Sequence, residues 1–268
     1  MGFSSLTRYT LFRESADFIG NEEGIIPFRN PRAVRTMYYE SARLIKGFED
    51  FINGGERPLP EAYQRLFDNN ARDVQNESLV RRITEFIQNQ IYEKRGYRQS
   101  DLPFKTYFSY LIKAITDYQE EIIKDNFIEL PDMETIRMSR QQTFLSYAYY
   151  DKGLTLALFY YFWIRSGFLY VNWMWNGVSN HSSITKRELD EALADSRQLL
   201  FLRTTNSELR IRGNNNSVRQ WCAWEIGNYY TKHKEEKYYT SFYDRAVPRN
   251  DILDTFKPMK EVINGMIR

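Results

Sequence analysis

In PRAVRTMYYESARLIKGFEDFINGG, Val34, Met37, Ser41, Ile45, Phe48 and Ile52 recur at three- and four-residue steps. Pro31 stands before this stripe and Gly54–Gly55 ends it, the punctuation of an amphipathic helix. The same period predicts a helix after Leu59–Pro60, and another through SLVRRITEFIQNQIYEKRG. The latter aligns Leu79, Ile83, Phe86, Ile87 and Ile91 and stops at Gly96. A fourth helix runs from about Phe104 to Asn126, with Phe108, Leu111, Ile112, Ile115 and Ile122 inward. Successive amphipathic helices predict an all-α helical domain over residues 1–135. The segment Glu129–Arg140, with Pro131 and little periodicity, is the boundary.

Beyond it the rhythm changes. Gln142–Tyr147 is a short strand-like run, Gly153–Arg165 a helical stretch broken by Ser166–Gly167, and Phe168–Trp173 a second strand. Thr185 and Glu188 have capping-box spacing and open a helix to Ser196, followed by an apolar strand at Gln198–Arg203. Ser217 with Gln220 has the same spacing ahead of VRQWCAWEIGNYYTK; Lys237–Tyr243 reads as a fourth strand and Asp251–Met266 as a closing helix. No fifth strand is evident. Strands alternating with helices make residues 136–268 an α/β domain with a short parallel sheet flanked by helices. Ligands bind such sheets at the carboxyl ends of the strands, here near Ser146–Asp151, Trp173–Gly177 and Arg203–Ser207.

Charge sharpens the division. Residues 1–135 hold 18 Lys/Arg against 22 Asp/Glu, and residues 136–268 hold 19 against 13, so an overall +2 conceals an acidic half and a basic one. A balance this close to neutral argues against a nucleic-acid binder. One cysteine and two histidines exclude an internal disulfide and a Cys/His zinc site, and no metal is expected. The N-terminal MGFSSLTRYTLFRES lacks an apolar signal core, and Leu6 stands where myristoylation requires Ser or Thr. The most apolar segment, Leu154–Trp175, is interrupted by Arg165, Gly167 and Asn172. Its unbroken part is about 11 residues, against the ~20 needed for a membrane span. A cytoplasmic protein without membrane contact is expected.

Aromatic residues are in excess, with 20 Tyr, 18 Phe and 5 Trp in 268 residues. In the helical half they read as packing. All five tryptophans (Trp163, Trp173, Trp175, Trp221, Trp224) fall between 163 and 224. There is no Gly-rich phosphate loop, GxSxG or HExxH. Cys222 lies inside an amphipathic helix, where a buried inert thiol is the better reading than a nucleophile paired with His181 or His233.

What remains is an ordered set of segments. The first strand ends in Phe144, Ser146 and Tyr147, with Asp151 following; Ser196 precedes the strand Leu199–Leu202; a helix carries Trp221, Cys222 and Glu225. In these residues the sequence resembles a Toll/interleukin-1 receptor (TIR) domain, over about 140–250 and with no part in 1–135. The resemblance implies a flavodoxin-like fold and cleavage of the nicotinamide–ribose bond of NAD+, as nucleosidase or cyclase. NAD+ is then the substrate, no cofactor is needed, and Glu225 is the catalytic residue.

That bond breaks toward an oxocarbenium-like ribose, whose charge a carboxylate stabilises, while nicotinamide leaves neutral without an acid. Trp221, Glu225 and Asn228 stand at i, i+4 and i+7 on one helix face. Ser146, Tyr147, Asp151, Trp173, Arg203, Ser207 and Trp221 are the substrate-binding candidates. Among them Asp151 is alternatively a helix N-cap, and Trp173 either stacks on a flat ring or anchors a loop. The resemblance also implies a homo-oligomer acting in bacterial antiphage immunity, by NAD+ depletion or by an ADP-ribose-derived signal to an effector protein. The alternatives are a non-catalytic TIR interaction module and a nucleotide sensor. Against the family pattern, Asn172 replaces a frequent acidic residue, WMWNGVSNHSS lacks the receptor-type Arg-Asp and Pro-Gly pairs, and the stretch from Ser207 to Trp221 is long.

Overall fold

The computed structural model describes residues 6–21, 27–54, 104–128, 140–174, 186–210, 216–218, 220–233, 238–240 and 256–268. Three helices come first: α1 (Arg8–Gly20), α2 (Pro31–Gly54) and α3 (Phe104–Asn126). The Thr7 hydroxyl caps α1 by accepting from the Thr10 amide at 3.1 Å, and Asn30 Oδ1 accepts from the Ala33 amide at 3.2 Å where α2 begins. The expected ends of α2 and α3 match. Helix α1 has no counterpart among the expected elements, although Leu11, Phe12, Ala16 and Ile19 line its buried side. The helices expected after Pro60 and around 79–91 lie outside the described residues.

The second part is α/β. Strand β1 (Gln141–Ser146) is followed by helix α4 (Lys152–Ile164), β2 (Gly167–Tyr170), helix α5 (Lys186–Asp195) and β3 (Gln198–Phe201). A short antiparallel hairpin, β4 (Glu208–Arg210) and β5 (Asn216–Val218), precedes helix α6 (Gln220–His233). Then come β6 (Tyr238–Thr240), β7 (Lys257–Pro258) and a terminal hairpin, β8 (Val262–Ile263) with β9 (Met266–Ile267). The main sheet is parallel throughout, in the order β2-β1-β3-β6-β7. Counted along the chain its strands run 2-1-3-4-5, the order of flavodoxin-like sheets, with the connection reversing direction between β1 and β3.

Helix α4 explains the apolar segment around 154. Every residue from Lys152 to Phe162 is buried, because the sheet covers one side and α1 and α3 the other. One core therefore runs from Leu11, Phe12 and Val34 through Leu156 and Phe159 to Phe144 and Leu200. Polar links follow it: the Tyr38 hydroxyl donates to the Gly153 carbonyl at 2.8 Å, and Arg165 Nη1 and Nη2 donate to Glu14 Oε2 and Oε1 at 2.9 and 3.1 Å.

Two expectations fail near the ends of elements. Residues 257–267 form β7 and the β8–β9 hairpin, where a closing helix over Asp251–Met266 was expected; residues 251–255 lie outside the described residues. Pro258 cannot donate a helical hydrogen bond, and Asn264 (φ 48°) and Gly265 (φ 79°) make a tight turn. A Cβ on Gly265 would lie 2.7 Å from the Ser166 carbonyl oxygen, so the approach needs glycine. The same change supplies the fifth strand, β7, only two residues long. Ser217 and Val218 are paired in β5, and α6 starts at Gln220, later than the expected start after Ser217. The Thr185 cap lies outside the described residues. Among those residues no helix is long and apolar enough to cross a membrane.

Candidate functional site at the carboxyl ends of β1 and β3

Strand β1 ends at Ser146, buried between β2 and β3. Its hydroxyl donates to Glu225 Oε2 at 2.5 Å. Helix α6 packs on β1 and on α5, and it buries Cys222, Glu225 and Tyr229, which lie at i, i+3 and i+7. Glu225 is 4% exposed. Burial pushes its carboxyl up to about 8, while the hydrogen bond from Ser146 and the nearby Trp221 indole act in the opposite sense. Next along the chain, the Tyr147 hydroxyl accepts from the Trp173 amide at 3.2 Å, and burial raises its pKa well above the tyrosine range. Cys222 Sγ lies 3.6 Å from the Tyr147 carbonyl as an S–H donor, a buried thiol as expected.

Asp151 lies at the start of α4 but makes no capping hydrogen bond to it. Its carboxylate instead faces the loop after β3, where Oδ2 accepts from Thr204 Oγ1 at 2.6 Å and Oδ1 from Asn206 Nδ2 at 2.8 Å. Ser207 closes that loop on itself: its hydroxyl accepts from the Thr204 amide at 2.9 Å and donates to the Thr204 carbonyl at 3.1 Å. Arg203 is buried where β3 ends. The Leu202 amide donates to the Ser146 carbonyl at 2.9 Å, so the Ser146–Glu225 pair and the Asp151 network flank the same strand ends. This is the reversal point of the sheet, where ligands of doubly wound folds sit.

Searches against protein-family models, curated proteins and solved structures find no match. The chemistry of the site is carried by its own geometry.

Ser146 and Glu225 are joined directly, Tyr147 follows Ser146 in the chain, Asp151 and Ser207 meet at Thr204, and Arg203 is buried at the end of β3. Trp221 stands at the rim, 50% exposed and stacked on Trp224 with ring centroids 5.3 Å apart; Lys186 Nζ lies 5.8 Å from the Trp224 ring. The i, i+4, i+7 face divides: Glu225 points inward, Trp221 outward, and Asn228 donates to Asp190 of α5. Trp173 does not join the site. Its indole is 3% exposed, packs on Phe127 at 4.8 Å and donates to Thr155 Oγ1 at 2.9 Å, so it anchors the core and offers no stacking surface. Trp175 lies outside the described residues.

Thr204 and Asn206, which bond Asp151, are not among the residues singled out from the sequence. The polar run RTTNS directly after an apolar strand is the signal that marks them. Among the described residues no group of three or more His, Cys, Asp or Glu could hold a metal ion. The arrangement can place a single carboxyl, poised near neutral pH and held by one hydroxyl, against a developing positive charge.

Proposed function

We propose that this chain is a TIR-type enzyme that cleaves the nicotinamide–ribose bond of NAD+, with Glu225 as its catalytic carboxylate. The observation that carries the reading is a buried glutamate at the carboxyl end of a central parallel strand, hydrogen-bonded to the serine that ends that strand. Glutamate is seldom buried without a salt-bridge partner, and groups with strongly shifted pKa values in such places cluster at functional sites.

In the reaction the C–N bond to the ribose breaks and its electron pair leaves with nicotinamide, which becomes neutral. The positive charge passes to the ribose carbon and ring oxygen. Ionised Glu225 stabilises that charge, and its pKa near 8 is drawn down by the cationic pyridinium of the bound substrate. Water, or a nucleophile of the same nucleotide, then bonds to the ribose carbon and releases a proton. The Ser146 hydroxyl fixes the carboxylate, and Asp151 with Thr204 and Asn206 fixes the loop between the strand ends. The basic balance of residues 136–268 suits a pyrophosphate. On this reading the protein acts as a homo-oligomer in the cytoplasm, in antiphage immunity, by depleting NAD+ or by sending an ADP-ribose-derived signal to an effector.

Chromatography of NAD+ incubated with the protein under assembly-promoting conditions tests the reading. Wild type is expected to release nicotinamide and Glu225→Ala to release none. Intact NAD+ with wild type would remove the enzyme reading, and equal turnover by the variant would remove Glu225 from the chemistry.

The exposed indole of Trp221 favours a second reading, a non-catalytic interaction module. It requires that Trp221→Ala lose complex formation while Glu225→Ala keeps it.

A further inference from the structure

The three residues that open α4 face two ways. Asp151 holds Thr204 and Asn206, whereas Lys152 and Gly153, next in sequence, are held by the helical layer. Lys152 is buried, its ammonium 3.2 Å from Glu120 Oε1 of α3 and 4.1 Å from the centre of the Tyr149 ring. The Gly153 carbonyl accepts from Tyr38 of α2. A Cβ at Gly153 would stand 2.2 Å from Gln119 Oε1, so α3 approaches the backbone here as only glycine permits. Gln119 is itself fixed, donating through Nε2 to Ser41 Oγ of α2 at 3.1 Å. Two helices thus grip the backbone immediately after Asp151, and a carboxylate one residue away has little freedom to move alone.

We infer that Tyr38, Gln119 and Glu120 are positioning residues: through Gly153 and Lys152 they set the place of Asp151 and hence of the Thr204–Ser207 loop at the substrate site. The inference rests on Asp151 belonging to the NAD+ site proposed above. Its consequence is that the helical layer controls the site, so a ligand or partner that shifts α2 against α3 changes substrate binding. Coupling of this kind is reciprocal, and NAD+ binding tightens the same seam.

The test uses the full chain as wild type, Tyr38→Phe, Glu120→Gln, their double variant, and Lys113→Ala as an exposed control on α3. Kinetics of nicotinamide release and amide hydrogen exchange are measured on each. The double variant is expected to raise KM for NAD+ by about 5-fold or more with kcat held. It is also expected to speed exchange at Asn206 and Ser207, whose amides donate to Thr204, while β2 amides keep their protection. The control is expected to change neither. Unchanged KM and unchanged exchange would overturn the inference, as would faster exchange throughout the sheet, which marks general loosening. If wild type releases no nicotinamide, the NAD+ reading has failed. The exchange arm then still decides the coupling: local acceleration at Asn206 and Ser207 upholds it and none overturns it. Tyr38→Phe, which loses one hydroxyl, gives the same readout should the double variant not fold.

Discussion

Helices α4 and α6 both follow β-strands, both carry tryptophan and are nearly equal in length, yet the fold uses them in opposite ways. Helix α4 is covered on both sides, and its buried stretch is almost wholly apolar. Helix α6 is covered on one side, and there it buries a glutamate beside Cys222 and Tyr229 while Trp221 and Tyr230 face solvent. A helix with an open face can turn an acidic residue to water at no cost. Burying Glu225 instead costs desolvation, and the raised pKa records it. Burial alone does not mark a site, because Glu40 of α2 is also buried with a raised pKa. It accepts from the Tyr118 hydroxyl at 3.2 Å within the helical layer, whereas Glu225 accepts from the residue that ends β1. The combination of buried acid, strand end and adjoining open face separates α6 from both.

The largest expected effect breaks α4. Phe159→Ala removes a ring from the centre of the shared core and should destabilise the protein by about 3–5 kcal/mol. Denaturation followed by far-UV circular dichroism and by tryptophan fluorescence should give coincident transitions, since the helical layer and the sheet meet on this helix. Two separated transitions would show that the layers fold independently.

On α6 the sign reverses. Glu225 holds a proton in the folded state up to about pH 8 that the unfolded chain releases near 4.5, so its effect on stability becomes less favourable as pH rises through that window. Glu225→Gln should therefore match wild type in melting temperature below pH 4.5 and melt higher at pH 9. A lower melting temperature at pH 9 would show that the carboxylate is stabilised where it sits.

Ser146→Ala sharpens the same point. Losing a hydrogen bond to a charged group costs roughly 1.5–3 kcal/mol, so NAD+ turnover should fall by one to two orders of magnitude. The acid limb of the pH–rate profile should move upward, because the hydroxyl favours the ionised Glu225. Trp221→Ala is the smallest perturbation: a half-exposed rim residue should alter stability by less than about 0.5 kcal/mol, measured by urea denaturation.

What could be read from sequence follows the range of the interactions involved. The ends of α2 and α3 were legible because Pro31, Gly54 and a sustained helical period are local signals. The parallel core was legible from apolar runs such as QTFLS and QLLF. Strand β7 was not, because two residues carry no period and its pairing with β6 is a tertiary event. The start of α6 shifted for a related reason, since Ser217 and Val218 pair with β4 and the helix opens only at Gln220. For the site, Ser146 and Glu225 were named but not their bond, which joins residues 79 positions apart. For Trp173 the sequence leaves two alternatives, because a tryptophan after a strand reads alike whether it faces a cleft or, as here, anchors against Phe127.

The most direct test of the central claim is the rate of nicotinamide release from NAD+ by wild type and Glu225→Gln, measured side by side at pH 8 on samples of matched oligomeric state. Loss of at least about 100-fold in the variant, with a melting temperature no lower than wild type, is the expected result. Equal rates, or no release by either protein, would contradict it.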